Sequence, residues 1–364
     1  MRYFNTALVL SITLTTGASM MAQRAEARSQ QSLAHQYTIT ELAPIRADDI
    51  KTYAYAINSG NEVVGATQDS SFNGGSALLW DAQGTAQYIL DEPDSCSFPF
   101  ASALNDKGQV TGGVSLSCQP YSTSPYLWDR KLGVKFFKQL PGANAAPPSA
   151  INASLRVVGQ AWGDFNLPNP HAYFWTPQGQ SLDLGTLPGG RTSNAVGIND
   201  RGHIVGTSDD SLGVMHNVLW TTQGAIQDLG TNFGSSHASC TTHAVNNRGQ
   251  IAGICSDTSP QAAAFVWSAS AGLRDLSLPA GDAGATAVAI NNLGQAIGKA
   301  WDSSFNVTAV LWDSDGSVQR VNDVLPPNSG WTEITFTGLN MSGRIVGYGT
   351  YGGATRAFVM VPVK

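Results

Sequence analysis

Trp162 with Asp164, Trp301 with Asp302, and Trp331 with Tyr348 set aromatic rings among carboxylates and hydroxyls in the less regular parts of this chain. These residue types suit a flat amphipathic ligand such as a sugar. A ring stacks on the ligand's apolar face while neighbouring polar groups meet its hydroxyl rim. Phe165, Asn166, Phe305, Asn306, Tyr351, Phe72 and Tyr121 lie in or next to comparable stretches. Two of these stretches are the same loop, Asp69-Ser70-Ser71-Phe72-Asn73 and Asp302-Ser303-Ser304-Phe305-Asn306. Their recurrence reads as a folding motif, an Asx turn with its Phe tucked in.

Acid–base and metal chemistry have less to draw on. The chain holds no Gly-x-Ser-x-Gly elbow, His-Glu-x-x-His, phosphate-binding loop or Cys-x-x-Cys. His237 and His243 flank Cys240 without a further ligand nearby in sequence. Asp313-Ser314-Asp315-Gly316 begins like a calcium loop and then stops, so it reads as a tight turn. No metal and no cofactor is expected.

What must position the aromatics is a repeat. Asn58, Asn105, Asn152, Asn199, Asn246, Asn291 and Asn340 are spaced by 47, 47, 47, 47, 45 and 49 residues. Seven residues after each Asn stands a Gly, from Gly65 to Gly347, at a place where another backbone comes too close for a side chain. Gly also stands three after the Asn in five copies, as at Gly202; the first copy has Gly60 one place early and the third has Leu155. Asn capping its own turn, with a positive φ three residues on, is hairpin chemistry. A later strand ends in Trp80, Trp128, Trp175, Trp220, Trp267 or Trp312, with Met360 in the seventh copy, an anchor between packed sheets. His171 and His216 both enter that strand and are therefore repeat positions first.

Each repeat reads as four strands, and the seventh stops after its third. Tyr37-Thr38-Ile39-Thr40-Glu41-Leu42 is the natural donor of the missing one. The expectation is an all-β, seven-bladed β-propeller of four-stranded blades spanning 36–364, with the ring closed by the N-terminal strand. The Asn-x-x-Gly-x-Ile-Val-Gly core, His171-Ala172-Tyr173-Phe174-Trp175 and the run Leu182-Asp183-Leu184-Gly185-Thr186-Leu187-Pro188-Gly189-Gly190 resemble the HAF family of probable extracellular repeat proteins of bacteria. The resemblance covers essentially all of the chain after its leader. It implies export and repetition, and it brings no activity with it.

Composition agrees. With 39 Gly, 17 Pro and 42% hydrophobic residues, the chain has frequent turns and enough apolar surface for a core. A net charge of −6 without a basic cluster argues against nucleic acid and against a polybasic membrane contact. Residues 1–27 read as a secretory signal: Arg2, the apolar stretch Ala7 to Thr16, and a small-x-small site at Ala25-Glu26-Ala27. Residues 28–35 form a polar lead-in, and no later run is long enough to span a bilayer. The expected location is periplasmic or extracellular. Four Cys in an exported chain imply disulfides. Cys96 and Cys118, and likewise Cys240 and Cys255, bracket the first hairpin of a repeat, so the expected pairs are Cys96–Cys118 and Cys240–Cys255.

In a four-stranded meander the Asn turn and the turn after Trp share one face, and the longer connections share the other. Loops on a rigid scaffold commonly carry binding groups. The long-loop face is therefore the expected site, with Trp162, Asp164, Trp301, Asp302, Trp331 and Tyr348 as its candidates. The leading expectation is a non-catalytic scaffold for a glycan or a cell-envelope protein. The alternatives are a polysaccharide hydrolase or lyase drawing on Asp164, His171, Asp302, Glu333 and Arg356, and a purely structural envelope protein.

Overall fold

The computed structural model describes residues 37–70, 74–92, 97–116, 122–163, 169–257 and 261–363. The expected leader and lead-in, the Cys96–Cys118 pair, Asp164 and the tip of the first Asp-Ser-Ser-Phe-Asn loop lie outside these residues. Among the described residues the fold is all-β apart from the single turn of helix Val321–Val324. No helix there is long and apolar enough to cross a membrane.

The unit is a meander of four antiparallel strands. In the fourth repeat these are Ser193–Ile198, His203–Asp209, Met215–Thr221 and Ile226–Gly230, paired in chain order. The first repeat follows the same plan with Asp49–Ile57, Val63–Asp69, Gly75–Trp80 and Ala86–Glu92. In the last sheet Tyr37–Leu42 lies antiparallel to Ala354–Pro362, from Tyr37 opposite Pro362 to Leu42 opposite Ala357. That sheet continues through Ile345–Tyr351 to Trp331–Leu339.

Two pairs of meanders merge. A parallel bridge between Thr123 and Ala145 joins the second repeat to the third, and one between Ala262 and Gly284 joins the fifth to the sixth. In the third repeat the first strand is split into Ala143–Ala145 and Pro148–Ile151, across a Pro147-Pro148 step that offers no backbone donor.

The Asn turn explains why each unit folds alike. Asn199 N–H donates to His203 O at 3.0 Å, and Gly202 N–H returns to Asn199 O at 3.0 Å. Asn199 Oδ1 accepts the amides of Arg201 and His203. Gly202 holds a φ of +82°; in the two copies without that glycine, Asn61 and Leu155 take the same conformation at +64° and +57°. The glycine seven residues on is required for a different reason. A Cβ at Gly206 would sit 1.9 Å from Asn194 O, and in the other six copies a carbonyl oxygen of the facing strand lies 1.8–2.4 Å away. That strand bulges beside the glycine, between Ala195 and Gly197 in the fourth repeat, which turns a carbonyl into the space. The close backbone therefore comes from the repeat's own first strand.

The core lies between neighbouring meanders. Trp312 of the sixth repeat packs with Ala252, Ala264, Val266 and Leu276 of the fifth. Trp80 of the first packs with Leu42, Val346 and Ala357 of the last sheet, and its indole N–H donates to Ala43 O at 2.8 Å. Trp80 thus pins the exit of the preceding unit, as Trp312 also does through Ser277 O at 2.7 Å.

Candidate functional site

The aromatic candidates are distributed over three repeats, and among the described residues no ring contact joins those of different repeats. Trp162 and Trp301 are equivalent positions, three after the strand glycine of the third and sixth repeats. Trp162 faces Ala145 and Trp301 faces Gly284, the two residues that bridge to the preceding repeat. A Cβ on Gly284 would meet the Trp301 ring at 2.6 Å, so the indole lies flat over the small residue at the junction. Both Trp are half-buried. Their shared position ties them to the merging of sheets.

Asp302 is committed to its loop. Its Oδ1 accepts the amides of Ser304 and Asn306 at 2.8 and 3.0 Å, and its Oδ2 accepts Asn306 Nδ2 at 2.8 Å. The side chain and then the amide of Asn306 hold its carboxyl below the usual range. The Asx turn is therefore as expected, but the tucked Phe is not. Phe305 is 70% exposed and sits at a φ of +61°, where the matching loop Asp210–Val214 of the fourth repeat uses Gly213 at +77°. The turn needs a positive φ at that place, and the backbone then carries the ring outward.

Tyr348 bridges the seventh and first repeats, edge-on to Tyr53 at 5.1 Å; Tyr53 in turn stacks on Tyr55 at 6.2 Å. Burial, then the neighbouring Tyr53 and Tyr348, pushes the Tyr55 hydroxyl up to about 12.

Trp331 is the candidate with space beside it. It lines a cavity of about 490 Å³ formed by the connection from Asn322 to Thr332, together with Asp323, Pro326, Asn328 and Ser329. Its indole stacks on Tyr351 at 4.8 Å with 15° between the planes, and it meets the edge of Phe358 at 5.4 Å. Trp331 itself is buried while Tyr351 is 39% exposed. The backbone around the cavity is tightly bent, with positive φ at Asn328, Gly330 and Glu333. Glu333 accepts the Thr350 hydroxyl at 2.6 Å.

The groups named for acid–base chemistry are held in separate local pairs. His171 Nδ1 meets Asp183 at 2.7 Å, and His216 meets Asp228 at 2.9 Å in the same positions of the next repeat. Arg356 lies 3.3 Å from Glu41 and donates to Ile50 O at 2.9 Å. His237 is clamped between Asp257 at 3.0 Å and Asp275 at 2.9 Å. Burial lowers its pKa, and the hydrogen bonds and charges of Asp275 and Asp257 outweigh that, leaving the imidazole above its ordinary value. His237 sits three residues before Cys240, which is bonded to Cys255 across paired strands as expected.

One gathering of residues from all seven repeats is at the other end, away from the expected long-loop site. A cavity of about 250 Å³ opens there, ringed by the residues on either side of all seven repeat Asn and by five of those Asn themselves, Asn105, Asn199, Asn246, Asn291 and Asn340. The residue before each Asn, from Ile57 to Leu339, is aliphatic and makes an apolar floor. Each Asn Nδ2 donates to the backbone O of the Asn in the next repeat: Asn58 to Asn105, onward to Asn340, and from Asn340 to Asn58 O at 3.0 Å. All seven Asn are buried. The signal available beforehand was the position after each Asn, where Ser59, Asp106, Ala153, Asp200, Asn247, Asn292 and Met341 break the repeat's uniformity.

No protein-family model and no curated protein matches this chain. Solved structures do. Virginiamycin B lyase from Staphylococcus aureus is similar at 9% identity and a TM-score of 0.53, over 90% of this chain and 100% of that one. The β-propeller domain of the Trilobed protease from Pyrococcus furiosus is similar at 11% identity and a TM-score of 0.53, over 85% and 93%. A prolyl endopeptidase is similar at 10% identity and a TM-score of 0.54, over 86% of this chain and 46% of that one. At such identities the likeness establishes a propeller-type fold and carries nothing of activity.

Proposed function

We propose that this chain is an exported, HAF-type repeat protein forming a seven-bladed propeller, and that it serves as a non-catalytic scaffold binding a glycan on its long-loop face. The blade count and the closed ring are supported by the hydrogen-bond relay that runs from Asn58 through Asn340 and returns to Asn58. Pairing of Tyr37–Leu42 with Ala354–Pro362 supports closure by the N-terminal strand. The Cys240–Cys255 disulfide supports an oxidising compartment.

The observation that carries the glycan reading is the Trp331 cavity. Trp331, backed by the stacked ring of Tyr351, borders a crevice that also presents Asn322, Asp323, Asn328 and Ser329. Rings for the apolar face of a sugar and amides or a carboxylate for its hydroxyls are what such a ligand needs. Binding to a glycan array by the full chain, lost in Trp331→Ala and weakened in Tyr351→Ala, is the expected result. No binding, or binding indifferent to both substitutions, would refute it.

A further inference from the structure

Several carboxylates on the long-loop side are committed to local partners. Asp183 and Asp228 pair with His171 and His216, and Asp257 and Asp275 clamp His237. Asp302 closes its own turn, Asp282 meets Arg320 at 2.9 Å, and Glu333 accepts the Thr350 hydroxyl. Asp323 is not held in this way. Its side chain is exposed, and among the described residues no hydrogen bond or ion pair engages its carboxylate.

Local packing sets Asp323 beside the Trp331 cavity. Val321 and Val324 of the helical turn are buried in the same apolar cluster as Trp331, which leaves Asn322 and Asp323 on the outside. The chain then reverses: Ser329 N–H donates to Pro326 O at 3.2 Å, with Asn328 at a φ of +64°, and Trp331 N–H donates to Ser329 Oγ at 3.4 Å. Asp323 and Trp331 thus lie near the two ends of one folded connection, and both line the cavity of about 490 Å³ that it encloses. Asp323 is the one ionisable side chain in that lining. The basic residue nearest to it in sequence, Arg320, is taken by Asp282 and by Ala280 O.

We propose that the Trp331 cavity selects a glycan bearing free ammonium groups, a glucosamine-type oligosaccharide, over its N-acetylated or acidic counterparts. This rests on the glycan reading of that cavity and adds the charge of the ligand. One sugar sets its apolar face against Trp331 while an ammonium meets Asp323 in a charge-assisted hydrogen bond. In an oligosaccharide the two contacts need not come from the same sugar. N-acetylation removes the charge and leaves Asp323 only a neutral amide donor. A uronic acid brings a second carboxylate to a lining that has no cation to receive it, and like charges repel. The net charge of −6 acts in the same direction at longer range.

Titration calorimetry of the full chain with glucosamine tetramer, N-acetylglucosamine tetramer and tetragalacturonate tests the assignment. Mildly acid buffer keeps amines charged and carboxylates ionised. The glucosamine tetramer is expected to bind about fivefold more tightly than its acetylated counterpart, the scale of an exposed ion pair. That margin should shrink as salt is raised, and tetragalacturonate should bind most weakly. Asp323→Asn should erase the margin, and Asp323→Lys should turn the order in favour of tetragalacturonate, with folding of each variant checked by circular dichroism. Trp331→Ala should weaken all three sugars. Pentalysine, which has ammonium groups and no sugar ring, should not displace the glucosamine tetramer. Equal binding of the glucosamine and N-acetylglucosamine tetramers, or a margin that survives Asp323→Asn in a folded protein, would overturn the charge selection and leave the glycan reading standing. Displacement by pentalysine, or binding of none of the three sugars, would also overturn it; the glycan reading falls with it only if the glycan array is blank as well.

Discussion

At the Asn-turn end the same Asn side-chain bond joins each repeat to its neighbour, whereas at the long-loop end the contacts differ from repeat to repeat. Asn199 reaches Asn246 just as Asn58 reaches Asn105, at 3.0 and 3.2 Å. On the loop side His171 and His216 pair with a carboxylate of their own repeat, while His237 is clamped by two from its surroundings, and Trp331 borders a crevice in the connection from Asn322 to Thr332. Where residues of all seven repeats line one opening, a few departures from uniformity, such as Met341 and Ala153, lie together around it. On the loop side comparable departures are spread around the perimeter and must each build a site alone.

If the contrast is correct, a change to the shared framework should cost far more than a change at a loop tip. Gly206→Ala drives a Cβ to 1.9 Å from Asn194 O, against backbone that cannot move without disturbing the bulge. A loss of about 3 kcal/mol is expected in chemical denaturation. A loss below about 1 kcal/mol would mean that the framework is more yielding than its geometry implies. Phe305→Gly should act in the opposite direction. It relieves a φ of +61° at a ring that is 70% exposed, and should stabilise the protein by about 1 kcal/mol. Destabilisation instead would show that the Phe305 ring is held by contacts that matter to the fold.

The smallest expected effect concerns His237. Its pKa is raised in the folded protein by Asp275 and Asp257 against the effect of burial, so its contribution is fully present below the unfolded value of 6.5. That contribution is lost as pH rises through the folded pKa. Both facing groups are carboxylates, and Ala238 N–H also donates to Asp257. Thermal melts of wild type and His237→Gln across neutral pH should converge as the solution becomes alkaline. A gap that instead widens with pH would assign the clamp to the neutral imidazole.

Much of the fold could be read from the chain itself because its determinants recur within single units. Asn199 and Gly202 make their turn from neighbours four residues away or fewer, and Gly206 answers to a strand twelve residues back. The hairpin register that pairs Cys240 with Cys255 follows from the same turn. The candidate site was less legible. Trp162 and Trp301 stood out as aromatics in irregular stretches, yet their partners Ala145 and Gly284 are featureless in sequence and matter through the strand bridges they make. Phe305 looked like a core residue because its ring is apolar; the turn's demand for positive φ decided otherwise.

By itself, then, the sequence determined the repeat, its turns, its obligatory glycines and its tryptophan anchors, since local hydrogen bonds and steric contacts are written anew in every copy. Which residues stand around a common opening was decided by tertiary structure. Ser59, Asp106, Asp200, Asn292 and Met341 are separated by dozens to hundreds of residues, and only the packing of one unit against the next brings them around the same opening.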